Sequence, residues 1–329
     1  MKRRHLISAA ALSLLGTPLA SWPQGSGAPP KVGFLYFGSK ESAVQTGRYG
    51  AFIEGMRKLG YTPGKDYILE ERFAAGDVPL LRSQLAELLK AHVKLIVATG
   101  SVAVLEARQA TSTVPIVSAV SSDPIGQGLA KTLAQPGGNV TGLYDSSIEL
   151  MGKHLELLRA VSPKLSRLGL LMHPANASHA DRQKRLVELA QPLKVQVHPA
   201  SCASPEQIDT AFAEMTRQKV QSVIVLADTF FLQQAGRIAK LALKHRMPSV
   251  GLQKDYAEAG GLLSYGEDLV DNFRLAAAYV DKILKGAAPG GLPFARSPRI
   301  ELTVNKSTAR ALGLKLPEEI TLRAENIIE

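Results

Sequence analysis

Residues 95–121 read LIVATGSVAVLEARQATSTVPIVSAVS and decide the fold class. Two short apolar runs of strand character, 95–100 and 115–121, flank an alanine-rich segment with helical spacing. Small and polar residues follow each run: Gly100-Ser101 after the first, and Ser121-Ser122-Asp123 after the second. Ligands bind beyond the carboxyl ends of the strands in open parallel sheets, so this segment predicts a ligand-binding α/β domain.

Elsewhere in the chain, short β runs alternate with helical patterns, as in a parallel sheet covered by helices. The predicted strands are 32–37, 67–74, 95–100, 115–121, 167–173, 194–200, 222–227 and 248–252. The clearest helical pattern begins at Leu269 and ends at Lys285-Gly286. Four strands precede Gly142 and four follow Ser166, without a residue-level repeat. We therefore expect an α/β protein with two doubly wound parallel-sheet lobes and a ligand cleft between them.

The N-terminus has the layout of a secretory signal peptide. Lys2, Arg3 and Arg4 precede an apolar run, Leu6–Leu15, which is too short to span a bilayer. The segment Pro23–Pro30 is rich in Pro and Gly and separates this run from the first strand. We expect residues 1–30 to be leader and linker, with cleavage after about 20 to 30 residues. We expect the mature protein to be soluble and periplasmic. It would be exported by the Sec route or, because of Arg3-Arg4, by the twin-arginine route.

Composition excludes several classes of protein. The net charge of +10 comes from 39 Lys and Arg against 29 Asp and Glu, and the cations are scattered along the chain. Neither a basic stripe nor an aromatic platform is present, so no nucleic-acid partner is predicted. Cys202 is the single cysteine, which excludes an internal disulfide. We expect a monomer.

Catalytic and metal-binding motifs are missing from the sequence. It contains no phosphate loop, dinucleotide fingerprint or HExxH motif. The segment GGLLSYG (260–266) resembles a nucleophile elbow, but Leu262 stands where glycine is required. The histidines are dispersed without ligand spacing. We therefore predict a binding protein without enzymatic activity, cofactor or metal.

Several blocks resemble the substrate-binding proteins of ABC transporters, a family whose members include tryptophan and tyrosine binders. The blocks are RKLGYTPGKDY (57–67), ATGS (98–101), SSDPIGQGLAKTLAQPGGNVTG (121–142), KHLELLRAVSP (153–163) and the long segment 257–318. The resemblance covers nearly all of 31–329. It implies a type I periplasmic-binding fold, with two lobes that are joined by three crossovers and close on a ligand.

Lobe boundaries and hinges follow from that resemblance. The first lobe is expected to comprise 31–143 plus 260–288, and the second 144–259 plus 289–329. The hinges are expected at glycine-rich segments, whose dihedral freedom suits a rotation. These segments are Gly142-Leu143-Tyr144, Ala259-Gly260-Gly261 and 289–293.

In this fold the loops after the strands form the candidate site. The first lobe would contribute Phe37, Gly38, Ser39, Gly100, Ser101, Ser121, Ser122 and Asp123. Ser101 is predicted to cap a helix, where its hydroxyl and the backbone N–H groups suit an anion, although a cap that faces only water is equally consistent with the sequence. For Asp123-Pro124, a turn that Asp123 stabilises itself is the other interpretation.

The second lobe would contribute Asn176, Asp228, Thr229, Phe230 and Tyr256. Asp228 ends the apolar run SVIVLA and needs a cation or donor, so it either binds a ligand ammonium or caps a helix over 230–233. The aromatic-amino-acid binders of the family have Asp-Asn-Thr where this chain has Ala227-Asp228-Thr229, which argues against carrying over their specificity. Phe37, Phe230, Phe231 and Tyr256 are either stacking walls or core residues, and one of Phe230 and Phe231 is expected to face the cleft.

The resulting prediction is the exported substrate-binding component of an ABC importer. It would capture a small organic solute, such as an amino acid or carboxylate, and deliver it to permease subunits in the inner membrane. The same fold used as a periplasmic sensor subunit is the alternative, and an enzyme on a two-lobed scaffold is the third hypothesis. The sequence does not name the solute.

Overall fold

The structure, a computed structural model, describes residues 28–145, 148–296 and 299–329. The predicted leader lies outside the described residues. One sheet contains β1 (Lys31–Tyr36), β2 (Ile68–Phe73), β3 (Leu95–Thr99), β4 (Ile116–Val120) and β5 (Val140–Gly142). The other contains β6 (Arg167–Met172), β7 (Gln196–Ser201), β8 (Ser222–Val225), β9 (Ser249–Gly251), β10 (Leu263–Glu267), β11 (Ile300–Asn305) and β12 (Asn326–Ile328).

Helices follow most of the strands. They are α1 (Lys40–Gln45), α2 (Arg48–Lys58), α3 (Val78–Lys90), α4 (Ser101–Ala110), α5 (Met151–Val161), α6 (Ser178–Ala190), α7 (Pro205–Arg217), α8 (Thr229–Gln233), α9 (Ala235–Lys244), α10 (Lys254–Glu258), α11 (Leu269–Leu284), α12 (Lys306–Leu312) and α13 (Glu318–Leu322). Short 3-10 turns lie at Gln191–Leu193 and Pro289–Gly291. We call each sheet with the helices packed on it a lobe.

The first sheet is parallel and has the order β2-β1-β3-β4-β5. Its two faces are buried by different helices because side chains alternate along each strand. In β1, Phe34 and Tyr36 pack with Phe52 of α2 and Phe273 of α11. On the opposite face, Leu35 packs with residues of α3 and α4. The predicted two-lobe α/β fold is confirmed.

The second sheet has the order β12-β11-β10-β9-β8-β6-β7 and is parallel except for the pair β10–β11. This pair corrects the predicted lobe boundaries. Residues 263–267 were expected in the first lobe, but β10 pairs with β9 and β11 in the second sheet. Conversely, residues 289–295 were expected in the second lobe, but Thr141 Oγ1 donates to Leu292 O and Tyr144 N–H donates to Ala295 O in the first.

The first crossover begins directly after the predicted hinge at 142–144, whereas the other two lie further along the chain than the predicted hinges. The chain leaves the first sheet after Asp145, whose N–H donates to Ser121 O, and enters α5 at Met151. It returns between β10 and α11, and it crosses again between Ala295 and Ile300. The glycines at 260–261 lie inside the second lobe between α10 and β10, so the flexibility of glycine alone does not identify a hinge.

The contact between α2 and α11 predicts opposite effects for two glycines of one helix. A Cβ on Gly55 would lie 2.6 Å from Arg274 O and 2.8 Å from Ala277 Cβ, whereas Gly50 has nothing within 4 Å. We expect Gly55→Ala to lower the free energy of unfolding by about 1–3 kcal/mol through overpacking. Gly50→Ala should raise it by about 0.5–1 kcal/mol because alanine favours the helix. Urea unfolding of both variants measures this, and equal changes would contradict the packing argument.

Candidate functional site

A cavity lies between the lobes at the carboxyl ends of the strands. The first lobe lines it with Tyr36, Phe37, Arg48, Thr99, Gly100, Ser101, Val102, Val120, Ser121, Ser122, Asp145, Leu269 and Phe273, and the second with Asn176, Ala227, Asp228, Thr229, Leu232 and Gln253. The space between these residues has about 560 Å³ of empty volume, part of which is open to solvent. In this arrangement of the lobes, the enclosed part of the cavity is small.

The first lobe presents an end that suits an anion. Helix α4 begins at Ser101 after Gly100, which has φ +85° and supplies no side-chain cap. The first N–H groups of a helix lack intrahelical partners and carry partial positive charge. Thr99 Oγ1 and Ser121 Oγ are buried beside them and have no hydrogen-bond partner among the described residues. Two free hydroxyls and a helix N-terminus therefore meet at one wall of the cavity.

Ser101 has a different local role from the predicted helix cap. It is the first helical residue, and its Oγ accepts a hydrogen bond from the Ser122 N–H at 3.0 Å. The hydroxyl therefore joins the loop after β3 to the loop after β4. Both serines line the cavity, so this bond sets the spacing of its first-lobe wall.

The second lobe presents a buried carboxylate. Asp228 is 7% exposed and caps α8, because its Oδ1 accepts from Phe230 N–H at 2.9 Å. Its Oδ2 accepts from Asn176 Nδ2, also at 2.9 Å. Asp228 and Asn176 both line the cavity. The two interpretations of Asp228, helix cap and cavity carboxylate, are thus geometrically compatible.

Contacts between the lobes enclose the cavity. Arg48 of α2 is 3% exposed and donates to the Asp255 carboxylate of α10 at 2.8 Å. Burial lowers the pKa of Arg48, but the Asp255 charge and Tyr36 outweigh this and raise it above its usual value. Near the middle of the cleft, a Cβ on Gly100 would lie 3.2 Å from Thr229 Oγ1. The lobes are close together in this structure.

Behind the cavity, a buried histidine has both ring nitrogens occupied. His179 Nδ1 accepts from the His173 N–H at 2.8 Å, and Nε2 lies 3.1 Å from Ala227 O. Nε2 must therefore donate, which fixes a neutral ring. Burial and the nearby Arg182 charge lower the pKa of His179 to about 3, against a weaker opposing effect of the Ala227 carbonyl. The cavity is thus backed by a neutral histidine.

Three predicted site residues of the first lobe lie near the cavity without lining it. Gly38 packs against the second lobe, where an added Cβ would lie 2.8 Å from Thr229 Cγ2. Ser39 caps α1 by accepting from Ser42 N–H and faces a separate groove. Asp123 has φ +41°, and its carboxylate accepts from Gly126 N–H, so it stabilises its own turn.

The predicted aromatic walls of the second lobe belong to its core. Phe230 is 8% exposed, Phe231 2% and Tyr256 4%, and all three pack in one apolar cluster. The Tyr256 hydroxyl donates to Ser249 Oγ at 2.6 Å inside this core. Phe37 both packs in the first-lobe core and lines the cavity.

Nearly half of the cavity wall was not predicted from the sequence. Val102 and Ala227 belong to the predicted loops after the strands, whereas the missed residues are Tyr36, Arg48, Thr99, Val120, Asp145, Leu232, Gln253, Leu269 and Phe273. Strand ends could have identified Tyr36, Thr99 and Val120, because each ends its strand. Arg48 and Phe273 come from helices that are distant in sequence, and no local pattern marks them.

Two further properties concern the described residues only. Within 28–145, 148–296 and 299–329, no group of three or more His, Cys, Asp or Glu side chains is placed to hold a metal ion. In the same ranges, no helix has the length and apolar character that crossing a membrane requires.

Comparison with known proteins identifies the family. The family model for ABC transporter substrate binding proteins matches residues 32–328. The chain is 24% identical over 277 residues to the tyrosine-binding protein of Clostridioides difficile strain R20291, a match that covers 84% of this chain and 78% of the relative.

Two solved structures share the fold. The ABC domain in complex with L-Trp from Streptococcus pneumonia has a TM-score of 0.84 at 24% identity, covering 92% of this chain and 100% of that one. A conserved domain protein from Vibrio cholerae O1 biovar El Tor has a TM-score of 0.85 at 25% identity, covering 91% and 100%. The family match confirms the prediction of a binding protein rather than an enzyme. The chain belongs to the family of ABC transporter substrate binding proteins.

Proposed function

We propose that this protein is the exported receptor of an ABC importer and captures a small amino acid by closure of its two lobes. The observation that carries the proposal is the division of charge across the cavity. The first lobe offers a helix N-terminus with the free hydroxyls of Thr99 and Ser121, and the second offers the buried carboxylate of Asp228. A zwitterionic ligand has a carboxylate for the first-lobe end of the cavity and an ammonium for the second-lobe end, whereas a simple carboxylate has only the first of these groups.

The size of the cavity supports a small ligand. The small enclosed part of the cavity suits glycine, alanine or a similar compound without movement of the lobes. The named relatives are a tyrosine-binding protein and a structure in complex with L-Trp, so aromatic amino acids are the natural comparison. An aromatic side chain would need a wider enclosed space than the cavity has in this structure.

Lobe closure is supported by contacts that exist only while the lobes are together. The Arg48–Asp255 ion pair joins α2 to α10 across the cleft. A ligand that touches both lobes stabilises the closed state, because separating the lobes would remove half of its contacts. Export rests on the leader-like N-terminus, and delivery to membrane permease subunits rests on the family to which the chain belongs.

Mass spectrometry of the compound released on denaturation tests the ligand class. We expect an amino acid in the released fraction and stabilisation by the same compound in a thermal-shift panel of the twenty L-amino acids and short carboxylates. Small-angle scattering should show a smaller radius of gyration at saturation than in the ligand-free protein. Release of a sugar or nucleoside would overturn the amino-acid proposal, and an unchanged radius would overturn closure.

A further inference from the structure

Arg182 is a fully buried cation that the ligand-binding proposal does not use. It lies on α6 of the second lobe, is 0% exposed and does not line the cavity. A buried guanidinium is costly unless carboxylates and hydrogen-bond acceptors surround it. The hydrogen-bond partners of Arg182 therefore show which parts of the site the buried guanidinium holds in place.

Those partners lie on both lobes. One terminal nitrogen of Arg182 donates to Ser122 Oγ and lies 3.5 Å from the Asp145 carboxylate, both in the first lobe. The other terminal nitrogen donates to Ala227 O of the second lobe at 3.2 Å. A single planar group thus joins the ends of two sheets.

At the first-lobe end, the network continues to the cavity wall. Ser122 Oγ donates to Asp145 at 2.9 Å, and Ser122 N–H donates to Ser101 Oγ at 3.0 Å. Arg182 is therefore one residue away from the hydroxyl at the start of α4. A shift of the guanidinium would move Ser122, and with it the wall that suits an anion.

At the second-lobe end, Arg182 holds the residue before the cavity carboxylate. Ala227 O accepts from both Arg182 and His179 and directly precedes Asp228. The Asp228 carboxylate is in turn fixed by Phe230 N–H and Asn176. The orientation of this loop therefore depends on the same guanidinium.

We propose that Arg182 is the positioning residue that couples the two halves of the cavity, so that the first-lobe wall at Ser101 and the second-lobe carboxylate at Asp228 keep their spacing. The inference deepens the proposed function and rests on it for the identity of the site. Lysine cannot replace arginine here, because one ammonium lacks the forked donors that reach Ser122, Asp145 and Ala227 together.

Amide hydrogen exchange on the ligand-free mature chain tests this coupling without any ligand. In Arg182→Lys we expect the amides of Ser122 and Phe230, on opposite lobes, to exchange about 10-fold to 100-fold faster than in the wild type. The strand amides of Val97 and Ile224 should be unchanged. Arg185→Lys is the matched control on the same helix, since Arg185 is exposed and pairs with Glu188 one turn away.

Ser122→Ala keeps the experiment decisive if Arg182→Lys does not fold. It removes one acceptor of Arg182 in the first lobe, and faster exchange at Phe230 in the second lobe is expected. Unchanged exchange at Phe230, or equally faster exchange throughout both sheets, would overturn the inference.

Calorimetric titration with glycine, L-alanine, L-tyrosine and L-tryptophan supplies the binding measurement. For each amino acid that the wild type binds, Arg182→Lys should weaken binding by about 10-fold or more, and Arg185→Lys should not. Equal affinity of the wild type and Arg182→Lys would overturn the inference. If the wild type binds none of these four and no amino acid of the thermal-shift panel, the proposed ligand class fails, while hydrogen exchange still decides the role of Arg182.

Discussion

Asp228→Asn is expected to weaken amino-acid binding by about 2–5 kcal/mol, because it removes the charge partner of a desolvated ammonium. The substitution removes the negative charge of the side chain but keeps an oxygen that can cap the helix. Asp228 caps α8 through Phe230 N–H, and asparagine caps helices about as well as aspartate. The cap is therefore kept, but the new amide NH2 would face the Asn176 Nδ2 donor, so we expect the free energy of unfolding to fall by about 1–3 kcal/mol in addition to the loss of affinity.

Calorimetry with the amino acid identified by mass spectrometry measures the affinity, and urea unfolding measures the stability. Ser101→Ala should also weaken binding, because the Ser101 Oγ accepts from the Ser122 N–H and so holds the two serines of the first-lobe wall together. Asp123→Asn is the matched control, since its carboxylate stabilises a turn outside the cavity. Wild-type affinity in Asp228→Asn and Ser101→Ala, with lower stability, would show that both residues are structural.

Acidification from pH 7.5 to pH 5 is expected to lower the free energy of unfolding by about 4 kcal/mol through two buried histidines. Burial lowers the pKa of His154 to about 4, against the opposing effect of its hydrogen bond to Tyr265 O, and that of His179 to about 3. Below the ordinary value of 6.5, the unfolded chain binds protons that the folded protein does not. Each histidine then contributes about 2 kcal/mol of lost stability at pH 5.

Urea unfolding at both pH values measures this loss. In His154→Gln and in His179→Gln, the difference between pH 7.5 and pH 5 should shrink by about 2 kcal/mol each. His92→Asn, at an exposed position, is the control and should keep the full difference. A wild-type difference that survives both substitutions would assign the acid sensitivity to other groups.

The residues that sequence could place in the cavity share one property. Gly100, Ser101, Ser121 and Asp228 follow apolar strands directly, and parallel strands end at a common edge. Their position therefore follows from local sequence. The antiparallel pair β10–β11 does not, because its register depends on partners that are far apart in the chain.

Aromatic residues near strand ends were more difficult to interpret. Phe230 and Tyr256 each lie five residues after a strand, within the range of distances at which the wall residues of this lobe lie, yet they bury their rings in the second-lobe core. Arg48 is the opposite case, a wall residue that the sequence did not predict. Nothing in its helical sequence context indicates a cavity, and only tertiary packing brings it to Asp255. Which face of a short helix points to a cleft is decided by the whole assembly.

The return of α11 to the first lobe sets an order of events during synthesis. The apolar face of α2, with Phe52 and Met56, is covered by a helix encoded near the other end of the chain. The hydrogen bond from the Tyr61 hydroxyl to Asp281 joins residues 220 positions apart. Until α11 is made, the first lobe exposes this face and cannot complete its core, whereas β6–β9 can already assemble. A nascent chain therefore carries an unfinished amino-terminal half beside a maturing second half, and a chaperone that protects it would act on the face of α2.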